Sequence, residues 1–127
     1  MHRAFFHSRW LSFQYAFSGI AYVFRTQKNA WIHTVATLMA VILGIWLRIS
    51  ATSWAILLIT IAAVWSAECI NTAVEAAVDL ISPQRHPLAK MAKDASAAGV
   101  LFVAIGSVGV GIFLFGPALI VKLKEFL

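Results

Sequence analysis

Residues 95–121 run without a single formal charge. No other feature constrains the fold of this chain as much. About 20 apolar residues in a helix cross a bilayer core of about 30 Å. Such a segment must be helical, because hydrocarbon offers no partner to an unpaired backbone group. Composition agrees: 61% of residues are hydrophobic and 12% are charged, against about 45–50% and about 25% in globular domains. The 127 residues suit one domain. The net charge of +5 would raise nucleic acid as a partner in a soluble protein. Here the basic residues flank apolar runs, so anionic lipid headgroups are the expected counterpart and nucleic acid is not. Cys69 is the sole cysteine, which rules out an internal disulfide.

Three further segments precede this run. Residues 9–26 place Trp10, Phe13, Phe17, Ile20 and Phe24 at helical three-then-four spacing. Ser12, Ser18 and Arg25 interrupt it, so the expectation is an amphipathic helix on the membrane surface. Residues 4–14 are broken by His7, Ser8 and Arg9 and do not read as a cleavable signal peptide. Residues 30–48 and 53–81 read as the first two spans, the latter stopped by Pro83. The third span is expected over residues 93–117, with Gly116–Pro117 ending or kinking it. The fold class is therefore all-α, with three transmembrane helices and a surface helix.

Basic residues set the orientation. Arg3, Arg9, Arg25 and Lys28 precede the first span, Arg48 alone lies in the next turn, and Arg85, Lys90 and Lys93 precede the last span. This predicts a cytoplasmic N-terminus and an external C-terminus, with Lys122 and Lys124 pulling weakly the other way. Trp46 and Trp54 flank the Arg48 turn as interfacial aromatics do. The last span carries small residues at close-packing spacing, Ala95 with Gly99 and Ser107 with Gly111, which predicts an oligomer.

The acidic residues are Glu68, Glu75, Asp79, Asp94 and Glu125. At about 100° per residue, Glu68, Asn71, Glu75 and Asp79 fall within about 80° of one another on one helix face. If the membrane core begins near Trp54, Glu68 lies about 9 Å inside the cytoplasmic boundary. A carboxylate at a span's centre costs about 2.5–3.5 kcal/mol on the insertion scale. Near the boundary the cost is smaller, but an apolar residue would still be cheaper there. A cation, a partner lysine or a substrate must offset it, which marks a functional site. Lysines at positions 90 and 93 can bind phosphate oxygens. Two chemistries stay open on these residues: phosphoryl transfer to a lipid alcohol, and an ion- or proton-conducting oligomer. No Gly-rich P-loop and no protein-kinase motif is present.

The stretch Glu68-Cys-Ile-Asn71-Thr72-Ala-Val-Glu75-Ala-Ala-Val-Asp79 resembles the E-x-x-N-[ST]-x-[LIV]-E-x-x-V-D signature of the small prokaryotic diacylglycerol kinase and undecaprenol kinase family. The resemblance covers residues 13–117, including Tyr15 to Gly19, Asn29, Ile32-His33 and Lys93-Asp94. It implies a homotrimer in the bacterial cytoplasmic membrane that phosphorylates a lipid hydroxyl with MgATP at sites between subunits. By that resemblance Glu68 is the general base facing the lipid, and Glu75 a Mg²⁺ ligand at the nucleotide. Lys93 and Asp94 contact the nucleotide, Gln84, Arg85 and His86 border it, and Tyr15 reaches it from the surface helix. Asn71 and Asp79 support the site, while Trp46 and Ala97 stand beside the lipid. Gln27 occupies the position of a second metal ligand, where the family usually has glutamate. Either diacylglycerol or undecaprenol fits as substrate.

Overall fold

A computed structural model describes residues 2–124, with side chains from Arg9 onward; Glu125 lies outside the described residues. Four helices follow in order: α1 (His2–Thr26), α2 (Lys28–Leu47), α3 (Ala51–Ile81) and α4 (Pro87–Lys124). The described residues contain no strand. α2, α3 and α4 are long and apolar enough to cross a membrane, and α1 is not among such helices. The all-α, three-span architecture expected from the sequence is therefore present.

Several boundaries differ from expectation for identifiable reasons. α1 extends to His2 rather than beginning near residue 9. α4 begins at Pro87, six residues before the expected start at 93. Proline suits the first helical position, where its missing N–H has no intrahelical partner to lose. The preceding His86 caps the turn, its Nδ1 accepting the Leu88 N–H at 3.2 Å. At its other end α4 continues through Pro117 to Lys124 instead of stopping. One missing donor within a long apolar helix is tolerated in membrane proteins, where local adjustment satisfies the freed carbonyl.

The α2–α3 connection is set by local backbone chemistry. Arg48 adopts the left-handed conformation, φ 52° and ψ 48°. Its N–H donates to the Ile45 carbonyl and that of Ile49 to the Gly44 carbonyl, each at 3.2 Å. This pair of bonds satisfies carbonyls that a helix end otherwise leaves open. Ser50 then caps α3, its side chain accepting the Ser53 N–H at 3.1 Å. The helices meet closely because Gly44 has no side chain: a Cβ there would lie 3.1 Å from the Trp54 ring and 3.2 Å from Ile49.

At the other end of the bundle, the α1–α2 corner is one extended residue, Gln27, with φ −104° and ψ 116°. Its N–H closes α1 on the Val23 carbonyl at 2.8 Å, and its carbonyl accepts the Ala30 N–H at 3.3 Å. α1 packs on α2 and α3 but not on α4, and α3 with α4 forms the most extensive pairing.

α3 has 31 residues and α4 has 38, lengths of about 46 and 57 Å, so both exceed a bilayer core of about 30 Å. The acidic residues of the excess gather around the α3–α4 connection, while Lys122 and Lys124 lie at the far end of α4. Along the spans, large apolar side chains such as Phe102 and Phe113 stand exposed. Gly99, Gly106 and Gly109 meet nothing within 4 Å of where a Cβ would sit. The protomer therefore leaves its small-residue surface on α4 uncovered, available to lipid or to further subunits.

Candidate active site

The acidic stripe is graded by depth along α3. Glu68 is 1% exposed and Asn71 and Thr72 are buried. Glu75 is half-buried and Asp79 is exposed. Eleven residues of helix separate Glu68 from Asp79, an axial distance of about 16 Å. The stripe thus runs from a sealed interior to open solvent, and each carboxylate meets different partners.

Glu75 is held from two sides. Gln27 at the α1–α2 corner donates from Nε2 to Glu75 Oε2 at 2.6 Å, across 48 residues of sequence. Asn71, one turn back on α3, donates from Nδ2 to Oε1 at 3.2 Å. The Asn71 carbonyl oxygen accepts from the Ser96 hydroxyl at 2.7 Å, tying in α4. This chain of bonds joins α1's end, α3 and α4 around one carboxylate. Gln27 does not cap α2 with its side chain, so its amide is directed to Glu75.

Closer to solvent, Lys93 of α4 pairs with Asp79 of α3 at 2.5 Å. Lys90 pairs with Asp94 one turn along α4; both are exposed, so this pair contributes little to stability. These residues line a cleft of about 630 Å³ together with Ser82, Gln84, Arg85 and His86, a size that suits a small-molecule ligand. The nucleotide residues expected from the sequence on the α3–α4 loop and the start of α4 therefore share one surface.

Glu68 stands apart. Both of its carboxylate oxygens are buried and accept no hydrogen bond. Thr72 Oγ1 donates to the Glu68 backbone carbonyl at 2.8 Å and leaves the side chain unserved. The nearest basic group is His33 Nε2 of α2, 3.9 Å from Glu68 Oε2. Beside this pair, Trp65 stacks on Phe24 of α1 with ring centroids 5.2 Å apart. Ile20, Phe24, Trp65, Ser66, Cys69 and Ile70 line an apolar groove of about 590 Å³ between α1 and α3.

Three expected residues are not gathered into this cluster. Tyr15 is exposed on α1, twelve residues and about 18 Å along the chain from Gln27. Ala97 is exposed on α4, next to Ser96. Trp46 lies nineteen residues from Gln27, about 28 Å along α2, in an apolar groove with Met39, Leu43 and Phe115. Two residues of the cluster were not foreseen as site residues. Ser96 carries no distinguishing sequence signal. His33 does: it is the sole ionisable side chain in residues 30–47, and ionisable groups inside spans mark function.

The sequence pattern of the prokaryotic diacylglycerol kinase family matches residues 14–115. The chain belongs to that family. Undecaprenol kinase of Bacillus subtilis (strain 168) is 40% identical over 108 residues, covering 85% of this chain and 88% of that protein. A diacylglycerol kinase of Synechocystis sp. is 40% identical over 111 residues, 87% of this chain and 63% of that longer protein. The diacylglycerol kinase of Escherichia coli (strain K12) is 34% identical over 94 residues, 68% of this chain and 77% of that one. As a member of the prokaryotic diacylglycerol kinase family, the chain is an ATP-dependent membrane lipid kinase. The ion-conducting alternative left open by the residues alone finds no support among these relatives.

Proposed function

We propose that the protein transfers the γ-phosphate of MgATP to the hydroxyl of diacylglycerol or undecaprenol, with Glu68 as the base. One observation carries this reading. A buried carboxylate with no hydrogen-bond partner lies on the same helix face as a solvent-open cleft lined by cationic side chains. The first suits a hydroxyl arriving from the lipid, the second a water-soluble phosphate donor.

In the step itself, a Glu68 oxygen takes the hydroxyl proton as the lipid oxygen bonds to the γ-phosphorus. The bond from that phosphorus to the β–γ bridging oxygen breaks, and ADP leaves. Phosphoryl transfer demands positioning and charge neutralisation from the protein. Lys93 and Arg85 supply positive charge at the cleft. The apolar groove between α1 and α3, bordered by Trp65 and Cys69, offers the lipid chain a seat on the helix that carries Glu68.

The described residues contain no cluster of three or more His, Cys, Asp or Glu able to cage a metal. They fit instead a Mg²⁺ carried on the nucleotide, since this ion takes one or two carboxylates together with phosphates and water. Glu75 would be the carboxylate ligand and Gln27 an amide-oxygen ligand. When bound, Mg²⁺ supplies neutralisation of the phosphate charge. The uncovered glycines of α4 support close packing with further copies, and the family resemblance makes that assembly a homotrimer. The basic residues at the α1–α2 corner and around the α3–α4 loop support a cytoplasmic site and N-terminus in the bacterial inner membrane. Tyr15, Ala97 and Trp46 would join the nucleotide and the lipid only through neighbouring subunits or movement of α1.

Purified protein in mixed micelles, given radiolabelled ATP with diacylglycerol and undecaprenol side by side, tests the reading. Label should appear in one or both lipid phosphates. Absence of label from both, with the folded oligomer and ATP binding verified, rejects it.

A further inference from the structure

We propose that His33 is a positioning residue that aims the Glu68 carboxylate; the inference rests on Glu68 serving as the base in the reading above. A carboxylate buried with both oxygens unserved has nothing to choose its rotamer, and a base must be held within a fraction of an ångström of its proton. The other polar groups around Glu68 are committed elsewhere. Thr72 donates to the Glu68 main chain, and the Asn71 amide donates to Glu75. The Trp65 indole N–H donates to Thr37 Oγ1 at 3.3 Å. Among the described residues, His33 makes the one ion-pair contact with Glu68, Nε2 lying 3.9 Å from Oε2. A small rotation of either side chain closes that gap to hydrogen-bond length, and it needs only a hydrogen on Nε2.

The imidazole is itself held in place. His33 and Thr37 are one turn apart on α2, and Trp65 and Glu68 one turn apart on α3. The Trp65 ring reaches from α3 to both α2 residues. It meets the His33 ring edge-on, centroids 6.4 Å apart, and is fixed by Thr37 on one side and by Phe24 of α1 on another. Imidazole and carboxylate thus face each other between two helices that the Trp65–Thr37 bond ties together beside the pair. A histidine kept merely to fill space would need no nitrogen directed at a carboxylate.

His33→Gln and His33→Met separate the two roles, because glutamine keeps an N–H donor at similar length and methionine does not. His33→Met should lower kcat by up to about 10²-fold, with KM for ATP within about twofold. His33→Gln should recover most of that loss. Glu68→Gln run in parallel keeps the two readings distinct. If Glu68→Gln is inactive and His33→Met keeps wild-type kcat, His33 is idle and the inference fails alone. Equal losses in the folded Gln and Met variants would mean that the ring's shape matters and its donor does not, which also overturns it. If His33→Met does not give a folded oligomer, His33→Leu replaces it in the same comparison. An active Glu68→Gln would overturn the base, and His33's role with it.

Discussion

The two ends of the helical bundle are built on opposite principles. At the α2–α3 turn, neighbours in sequence do the work. Arg48 and Ile49 close α2, Ser50 opens α3, and Gly44 lets Trp54 approach. At the other end, the bonds join residues far apart: Gln27 to Glu75, Asn71 to Ser96, Lys93 to Asp79. The first end is satisfied internally and gains nothing from a ligand. The second leaves Glu68 without a hydrogen-bond partner and holds Glu75 between two side-chain amides. The difference teaches where stability and function were separated in this chain. A perturbation at the turn should change folding and spare chemistry, and one at the site should change chemistry whatever it does to folding.

Glu68→Gln should break the comparison most visibly. Loss of a general base typically costs about 10²–10⁴-fold in rate. Thermal stability in detergent should hold or rise, because an amide is cheaper to bury than an unpaired carboxylate. Paired activity and melting measurements decide it. An active variant would remove Glu68 from the chemistry.

Gln27→Glu comes next. Placing a second carboxylate beside Glu75 exchanges an amide–carboxylate hydrogen bond of 2.6 Å for like-charge repulsion. The metal-free protein should melt at lower temperature, while the Mg²⁺ concentration for half-maximal activity should fall, because this hard cation prefers full negative charge. Melting curves and activity, each titrated with Mg²⁺, report the two halves separately. An unchanged Mg²⁺ dependence would place Gln27 outside the metal site.

Gly44→Ala probes the opposite end. The new Cβ would sit 3.1 Å from the Trp54 ring, and overpacking of this kind costs about 1–3 kcal/mol. The melting temperature should fall with kcat unchanged at temperatures below it. A selective loss of kcat would show that the turn communicates with the site.

Arg48→Gly should have the smallest effect, and in the other direction. Arg48 holds φ 52°, a conformation that costs a side-chain-bearing residue about 1–2 kcal/mol. Glycine recovers part of that, less the extra freedom it gains in the unfolded chain. A melting temperature raised by a degree or two, with unaltered kinetics, is the expected outcome. A lower one would mean that the Arg48 side chain anchors the turn at the interface.

The sequence by itself determined the number of spans, the all-helical class and the stripe of Glu68, Asn71, Glu75 and Asp79. These follow from rules that act over one to three turns: hydrocarbon forces backbone groups to pair within a segment, and the helical repeat assigns side chains to faces. The stop at residue 81 was legible for the same reason, since Pro83 acts on its immediate neighbours. The early start of α4 was in principle legible from His86-Pro87, a cap followed by a first-turn proline. Its passage through Pro117 was not, because whether a missing donor ends a membrane helix depends on its surroundings. Only the tertiary structure decided how the stripe divides into a sealed Glu68, a clasped Glu75 and a solvent-facing Asp79. Only it brought Gln27 onto Glu75, set Ser96 against Asn71 and turned His33 toward Glu68. Each of these depends on which helix faces lie opposite one another and at what height. In lipid that is settled by close packing and by a few polar bonds between helices, and neither is written in the periodicity of any single segment.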